Sequence, residues 1–185
     1  DTSPASTTPG SDTVVVLVDF QRDFALAGGA WLADSYLSAQ TLMESARLAR
    51  AAKERGWPIV RVANAFPAKD RIANWFRKGA AIAGSPGAKL VAPFDTLPGP
   101  AFDKTSSSAF GSPSFREWLD GHGKPVLWIA GFFAHGCVAA TALDARERGY
   151  TVLSGPGLVA SPDSSTWRKG WNRMSNGGVR EVDIP

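Results

Sequence analysis

The sequence predicts an α/β fold with a mainly parallel sheet flanked by helices, in a single Rossmann-like domain. Strand-like and helix-like segments alternate along nearly the whole chain, which is typical of parallel strands joined by right-handed helical crossovers. The first strand-like segment, TVVVLVDF, is a continuous apolar run of the kind that is buried on both faces of a parallel sheet. We therefore expect one domain over residues 13–185, preceded by a disordered or extended Ser/Thr/Pro-rich tail at residues 1–12.

Each element of this alternation carries a local signal. The predicted strands are 13–20, 57–65, 101–104, 125–131, 151–155 and 179–184. The predicted helices are 34–56, 112–123, 137–149 and 163–178, with a short helix near 70–78. Gly56 and Pro58 supply the stop of the first of these helices. Ser112 as N-cap and Pro113 at the first position mark the start of another. Residues 66–100 are otherwise predicted to be irregular.

Composition limits the partners that this chain can have. Of its 185 residues 44% are hydrophobic, enough for a sizeable core, and the formal charge is +3. The lysines and arginines are scattered along the chain, whereas a nucleic-acid interface needs them clustered. No apolar run reaches the length of a membrane span, and a single cysteine excludes an intrachain disulfide. We therefore expect a small-molecule substrate and neither a nucleic-acid nor a membrane partner.

Three residues with useful chemistry follow predicted strands. Asp19 ends the first strand, Lys104 ends the short strand at 101–104, and Cys137 lies in the turn after the strand that ends near Ala130. The carboxyl ends of parallel strands share one edge of the sheet, and ligands bind in the crevice outside that edge. We therefore expect Asp19, Lys104 and Cys137 to meet there, although they are far apart in the sequence.

Cys137 is either a small buried apolar residue, as a lone cysteine usually is, or a nucleophile. A nucleophile needs a thiolate, and we expect the N-terminus of the following helix and the charge of Lys104 to lower the pKa of the thiol. Asp19 could accept the thiol proton and later deliver it to a leaving group. Backbone N–H groups in the turn before the helix could stabilise an oxyanion. This combination predicts covalent acyl transfer without a catalytic histidine.

Three segments resemble the isochorismatase-like cysteine hydrolase superfamily. They are VDFQRDF, FDKTSSSAF and GFFAHGCVAATALDARERGY, and their order and spacing agree with that superfamily over residues 13–155. Each segment alone is a weak signal, but the three in order are specific. The resemblance implies an Asp-Lys-Cys triad formed by Asp19, Lys104 and Cys137. It also implies a cis peptide at Phe132–Phe133 and an oxyanion hole made by the amides of Phe133 and Cys137.

The same resemblance implies a reaction and an assembly. The reaction is hydrolysis of a small amide, ureido or carbamoyl substrate through a thioester, with release of ammonia or an amine and without a metal or organic cofactor. The sheet is expected to have six strands, and the chain is expected to form a homo-oligomer, either a dimer or a tetramer. A cytoplasmic protein is expected, although the Ser/Thr/Pro-rich start without Met leaves export open.

Two departures from the superfamily's patterns leave alternatives open. Nicotinamidases of the superfamily carry an Asp-x-His plus His metal site after the second strand, but RVANAFPAKDR contains no histidine. This departure disfavours both such a metal site and nicotinamide as the substrate. Phe133-Ala134-His135 is similar to the Tyr-Ala-His motif of true isochorismatases, which cleave a vinyl ether by protonation from the Asp and need no thiol. A vinyl ether hydrolase and a catalytically inactive interaction protein are therefore the alternatives to a cysteine hydrolase.

Further residues near the triad are predicted to line or support the pocket. Phe24 and Phe133 are close in sequence to triad residues, and an aromatic wall formed by them suits a flat or apolar small substrate. His135 is expected either to face the substrate or to pair with a backbone carbonyl. Asp23 is expected to make a local turn hydrogen bond, and Asp144 to be a structural partner within the fold.

Overall fold

The computed structural model describes residues 12–185, which form a parallel β-sheet flanked by helices. The strands are β1 (Thr13–Val18), β2 (Ile59–Asn64), β3 (Ala101–Lys104), β4 (Val126–Phe132), β5 (Val152–Ser154), β6 (Val159–Ala160) and β7 (Arg180–Glu181). The helices are α1 (Arg22–Ala25), α2 (Ser35–Arg55), α3 (Arg71–Phe76), α4 (Pro113–Asp120), α5 (Cys137–Glu147) and α6 (Ser164–Asn176). The predicted fold class is confirmed. The tail expected over residues 1–12 lies, apart from Asp12, outside the described residues.

The sheet has seven strands, one more than predicted. The six predicted strands form the continuous order β3-β2-β1-β4-β5-β7, and β6 pairs with the end of β4. β6 contains only Val159 and Ala160 and follows a turn that includes Gly155 and Pro156, so no alternating pattern reveals it. The four-residue helix α1 was not predicted either, because it is too short to show a helical period.

The central strand β1 determines where the site lies. All six of its residues are buried, and it pairs in parallel with β2 on one side and β4 on the other. The chain fills the sheet from β1 outward to β2 and β3, then returns to place β4 on the opposite side of β1. The strand order therefore reverses beside β1, and a crevice forms at the carboxyl ends of the strands at such a reversal. Asp19 is the first residue after β1 and lies at that crevice.

The ends of α2 and α6 are capped, whereas the predicted N-cap Ser112 precedes α4 but makes no side-chain hydrogen bond to it. Asp34 precedes α2, and its carboxylate accepts the amides of Tyr36 and Leu37 at 3.0 Å each. Gly56 closes the same helix in the left-handed conformation at φ 68°, which explains the glycine there. Asp163 caps α6 by accepting the Thr166 amide at 2.7 Å. None of the helices in residues 12–185 is both long and apolar enough to cross a membrane.

Helix α6 packs directly against the turn that precedes α5. Gly170 is buried at the middle of α6, and a Cβ atom on it would overlap the backbone of Ala134 and His135. That backbone belongs to the turn between β4 and Cys137. The glycine therefore lets α6 support the turn from behind, at a distance that no larger residue allows.

We expect Gly170→Ala to destabilise the protein by about 1–3 kcal/mol, because overpacking outweighs the helix propensity gained. Exposed Asn172 on the same helix is the control, and Asn172→Ala should be neutral or slightly stabilising. Urea denaturation of both variants measures the difference. A stabilised Gly170→Ala protein would show that α6 has room to move away from the turn.

Candidate active site

Asp19, Lys104 and Cys137 meet at the carboxyl edge of the sheet, as the strand-end argument predicts. The Lys104 ammonium lies 3.0 Å from Oδ2 of Asp19, and the two residues are only 2% and 1% exposed. Cys137 lies beside this pair, and it lines the same cavity as Asp19. A buried ion pair therefore stands directly beside the only sulfhydryl of the chain.

Asn64 joins all three of these side chains, and the sequence reasoning missed it. Its side-chain amide nitrogen donates to Asp19 Oδ2 at 3.0 Å and approaches the Cys137 sulfur at 3.5 Å. Its side-chain oxygen accepts from Lys104 Nζ at 2.8 Å, and its backbone N–H donates to Asp19 Oδ1 at 2.9 Å. Asn64 is the last residue of β2, so the rule that found Asp19 and Lys104 also applied to it.

Gln21 supports Asn64 from the opposite side. Its side-chain oxygen accepts the Asn64 amide at 3.1 Å, and its side-chain nitrogen donates to the carbonyls of Asn64 and Ala88, both at 2.8 Å. The chain turns sharply to place Gln21, since Asp19 adopts a left-handed φ of 57°. A non-glycine residue in that conformation is uncommon and is tolerated only where its surroundings hold it. Here those surroundings are the hydrogen bonds that Asp19 accepts from Asn64 and Lys104.

The electrostatics of the site favour a protonated thiol. Burial and the neighbouring Asp19 carboxylate raise the pKa of Cys137 to about 12, and the Lys104 charge opposes them without prevailing. The expectation of a lowered thiol pKa is therefore wrong in sign. Burial also raises the pKa of Asp19 above its usual 3.8, against the lowering effect of Lys104. The site thus pairs a neutral nucleophile with a carboxylate that is more basic than an exposed one.

The turn between β4 and α5 leaves some of its backbone donors without a backbone partner. The peptide between Phe132 and Phe133 is cis, as the family resemblance implies. The amides of Ala134, Gly136 and Val138 are bonded to backbone carbonyls. In contrast, the amides of Phe133, His135 and Cys137 donate no backbone hydrogen bond within residues 12–185. Unbonded N–H groups close to a thiol are what an oxyanion hole requires, and Phe133 and Cys137 are two of these three.

The loop after β3 is tied to the nucleophile's helix. Thr141 lies one turn after Cys137 on α5, is fully buried, and donates its hydroxyl to the Cys137 carbonyl at 2.7 Å. The same hydroxyl accepts the amide of Ala109 at 3.0 Å. Ala109 ends the Lys-x-x-x-Ser-Ala segment that begins at Lys104. This one side chain therefore fixes the lysine's loop relative to the thiol.

A cavity of about 270 Å³ opens onto Asp19 and Cys137, and the three predicted pocket residues line it. The rings of Phe24 and Phe133 meet edge to face with 5.3 Å between centroids, and the His135 ring stacks on Phe133 at 5.6 Å. Other lining residues that the sequence did not assign to the pocket are Trp31, Phe66, Arg77 and Ser107. The volume lies just below the range typical of drug-sized ligands, so the cavity suits a small, flat molecule.

The structure shows which partners His135 and Asp23 have. His135 faces the cavity, and its Nδ1 pairs with the hydroxyl of Ser161 at 3.1 Å, so its partner is a side chain and not a backbone carbonyl. Burial lowers the pKa of His135, which favours a neutral ring. Asp23 accepts the amides of Ala30 at 3.2 Å and Ala81 at 2.8 Å. The first of these bonds is the local one expected, and the second ties a distant segment of the pocket wall to α1.

Comparisons with known proteins identify a matching family model, a relative and solved structures of the same fold. A family model described as the isochorismatase domain matches residues 13–183. A secreted isochorismatase effector, Isc1, of Verticillium dahliae is 30% identical over 171 residues, covering 86% of this chain and 78% of that protein. A pyrazinamidase of Pyrococcus horikoshii in complex with zinc superposes with a TM-score of 0.79 at 24% identity, covering 93% of this chain and 99% of that one. An N-carbamoylsarcosine amidase of Thermoplasma acidophilum superposes with a TM-score of 0.75 at 22% identity, covering 94% of this chain and 96% of that one. The two solved structures share the fold of this chain.

The zinc in the pyrazinamidase raises the question of a metal site in this chain. Strand β2 ends in Asn64, whose side chain is already engaged with Asp19 and Lys104. Across residues 12–185 no group of three or more His, Cys, Asp or Glu side chains is arranged to hold a metal ion. The side chains after β2 therefore do not fit a zinc site of the Asp-x-His plus His kind.

The raised thiol pKa makes a prediction about Asp19→Asn. Removing the Asp19 charge should lower the pKa of Cys137 below 12, so alkylation by iodoacetamide should titrate at lower pH than in the wild type. The rate of alkylation as a function of pH, followed by mass spectrometry, checks this shift. Asp144→Asn removes a carboxylate from the far end of α5 and should leave the profile unchanged. A profile that moves to higher pH in Asp19→Asn would contradict the assigned cause.

Proposed function

Because the chain belongs to the isochorismatase family, we propose that it is a cysteine hydrolase that cleaves a small amide, ureido or carbamoyl substrate through a thioester. One observation carries this proposal above all. Asp19, Phe133 and the nucleophile candidate Cys137 line one small aromatic cavity, and the backbone amides of Phe133 and Cys137 donate no backbone hydrogen bond within residues 12–185. A thiol, a base and an oxyanion hole are the three components that acyl transfer needs.

In the first half-reaction Asp19 takes the proton from the Cys137 thiol as the sulfur attacks the substrate carbonyl. With a thiol pKa of about 12, proton transfer must accompany the attack, because almost no free thiolate exists at neutral pH. The amides of Phe133 and Cys137 stabilise the oxyanion of the tetrahedral intermediate. Protonated Asp19 then delivers its proton to the departing nitrogen, which leaves as ammonia or an amine, and a thioester remains on Cys137.

In the second half-reaction water hydrolyses the thioester. Asp19 accepts a proton from the water as the oxygen attacks the same carbonyl, and the same two amides stabilise the second oxyanion. The sulfur leaves and recovers its proton from Asp19, so the enzyme returns to its starting state. Lys104 keeps the carboxylate oriented through its 3.0 Å contact with Asp19 Oδ2. These residues account for every proton that moves, so the scheme assigns no step to a metal or an organic cofactor.

A second candidate function is vinyl ether cleavage of the isochorismatase type. The observation that favours it is the 30% identity to a secreted isochorismatase effector, a name that describes the relative. In this reaction a protonated Asp19 donates to the vinyl group and the thiol takes no covalent part. The raised pKa of Asp19 suits a proton donor as well as a base. The two candidates differ in whether Cys137 is required.

Ammonia release from a panel of small amides, ureas and carbamoyl compounds tests the first candidate. The wild type should release ammonia from at least one compound, and Cys137→Ala should reduce that rate by about 10³-fold or more. Asp19→Asn should reduce it comparably, since the residues act as one unit. Isochorismate is assayed beside the panel. Cleavage of isochorismate that survives Cys137→Ala and disappears in Asp19→Asn would replace the amide proposal with the vinyl ether one.

The raised pKa of Asp19 also predicts the pH dependence of the amidase. Asp19 must be ionised to accept the thiol proton, so kcat/KM should fall as the pH decreases through the pKa of Asp19. Because burial raises that pKa, the fall should occur clearly above pH 3.8. The thiol, with a pKa of about 12, should add no ionisation near neutrality. An acid limb at the pH of an ordinary aspartate would contradict this assignment.

A further inference from the structure

Arg77 is a cation of the active-site cavity that the proposed reaction does not use. It follows α3, inside the short helix predicted near 70–78, and it lines the same cavity as Asp19 and Cys137. Its guanidinium carbon lies 3.9 Å from the centroid of the Phe66 ring. The side chain is partly buried rather than extended into solvent. A charged group placed on an aromatic wall beside a nucleophile calls for a functional explanation.

Arg77 forms no ion pair with a carboxylate in the described part of the chain. The ion pairs within residues 12–185 are Arg47–Glu44, Lys104–Asp19 and Arg148–Asp144. Inside the cavity the charges of Lys104 and Asp19 cancel, and the lowered pKa of His135 favours its neutral form. The cavity therefore has one excess positive charge, which an anionic ligand would balance.

The guanidinium is also held in place before any ligand arrives. Its Nη1 donates to Oδ1 of Asn74 at 3.3 Å, and Asn74 is buried and donates its own amide to the Pro67 carbonyl at 2.9 Å. Stacking on Phe66 fixes the plane of the fork. One neutral hydrogen bond leaves most of the five N–H donors of an arginine available. Such a fixed, planar fork matches the two oxygens of a carboxylate.

The geometry points to Arg77 as the residue that selects the substrate, by binding a carboxylate that the substrate carries. This inference rests on the proposed function and narrows it to small planar amides, ureas or carbamoyl compounds with a carboxylate on the same molecule. Cys137 and Arg77 line one cavity of about 270 Å³, so the carboxylate must lie only a few bonds from the carbonyl that the sulfur attacks. Neutral amides lack the group that Arg77 binds and should be poor substrates.

Equilibrium binding to the Cys137→Ala protein tests the anion site without requiring catalysis. Benzoate and benzamide are flat molecules of almost equal size that differ in charge, and their affinities are measured by calorimetry. Benzoate should bind at least about tenfold more tightly than benzamide, because of one charge-assisted interaction. Adding Arg77→Gln should abolish that difference, and Arg77→Lys should restore part of it. Arg71→Gln, an exposed charge on α3, is the matched control and should change neither affinity.

Three results would overturn the inference. They are equal affinities for the two ligands, an equal loss of both in Arg77→Gln, and no measurable benzoate binding. Ammonia release by the wild type from 3-carboxybenzamide and from benzamide is measured in parallel, and the carboxylated amide should have the higher kcat/KM. If benzoate binds through Arg77 but neither amide is hydrolysed, the amidase proposal fails while the anion site stands. If both amides are hydrolysed equally well and Arg77→Gln changes neither rate, the amidase proposal stands and the anion site fails.

Discussion

The buried pair of Lys104 and Asp19 is the interaction on which the rest of the site depends. Two charges removed from water are costly, and they are retained only where further hydrogen bonds satisfy them. Here Lys104 donates to Asp19, Asn64 and the Ser106 carbonyl, which uses all three of its protons. Asp19 accepts from Asn64 on both oxygens in addition. Removal of either partner leaves a buried charge unpaired, at a cost of about 3–5 kcal/mol.

The parallel sheet brings together the residues that stabilise this buried ion pair. Asp19, Asn64 and Lys104 follow or end β1, β2 and β3, which are adjacent in the sheet and point the same way. Cys137 is added by the turn after β4, the neighbour of β1 on its other side. Each side chain is therefore positioned by a backbone ladder and not by a flexible loop. This is why residues separated by more than one hundred positions in the sequence, such as Asp19 and Cys137, can both contact the side chain of Asn64.

The sequence could predict those features that follow from local pattern and from strand direction. Asp19 and Cys137 were predictable because each follows an apolar strand, and Phe24 and Phe133 because they are near triad residues. Lys104 ends the short strand AFDK, and its assignment rested mostly on the family resemblance. Asn64 ends a predicted strand as well, but it was not predicted as a site residue. Arg77 and Trp31 were not predictable as pocket residues.

Tertiary contacts explain why Arg77 was not predictable as a pocket residue. They also explain why the predicted direction of the thiol pKa shift was wrong. The stretch that contains Arg77 is positioned by bonds such as the one from the Ala81 amide to Asp23, which no local pattern encodes. The sign of the pKa shift at Cys137 was wrong for a related reason. A sequence shows that a helix N-terminus and a lysine are near, but it does not show how far water is excluded. At this site burial and the Asp19 charge exceed both favourable effects.

A protonated thiol and an unpaired arginine in one cavity fit together physically. An anionic substrate brought close to Asp19 and Cys137 would, by its charge alone, disfavour any thiolate still further. Arg77 offsets that charge within the same cavity, so a carboxylate can bind without raising the free energy of thiol deprotonation further. In the absence of substrate the high pKa keeps the thiol poorly reactive toward oxidants, which attack thiolates. Deprotonation of Cys137 is thereby coupled to the arrival of a carbonyl that the sulfur can attack.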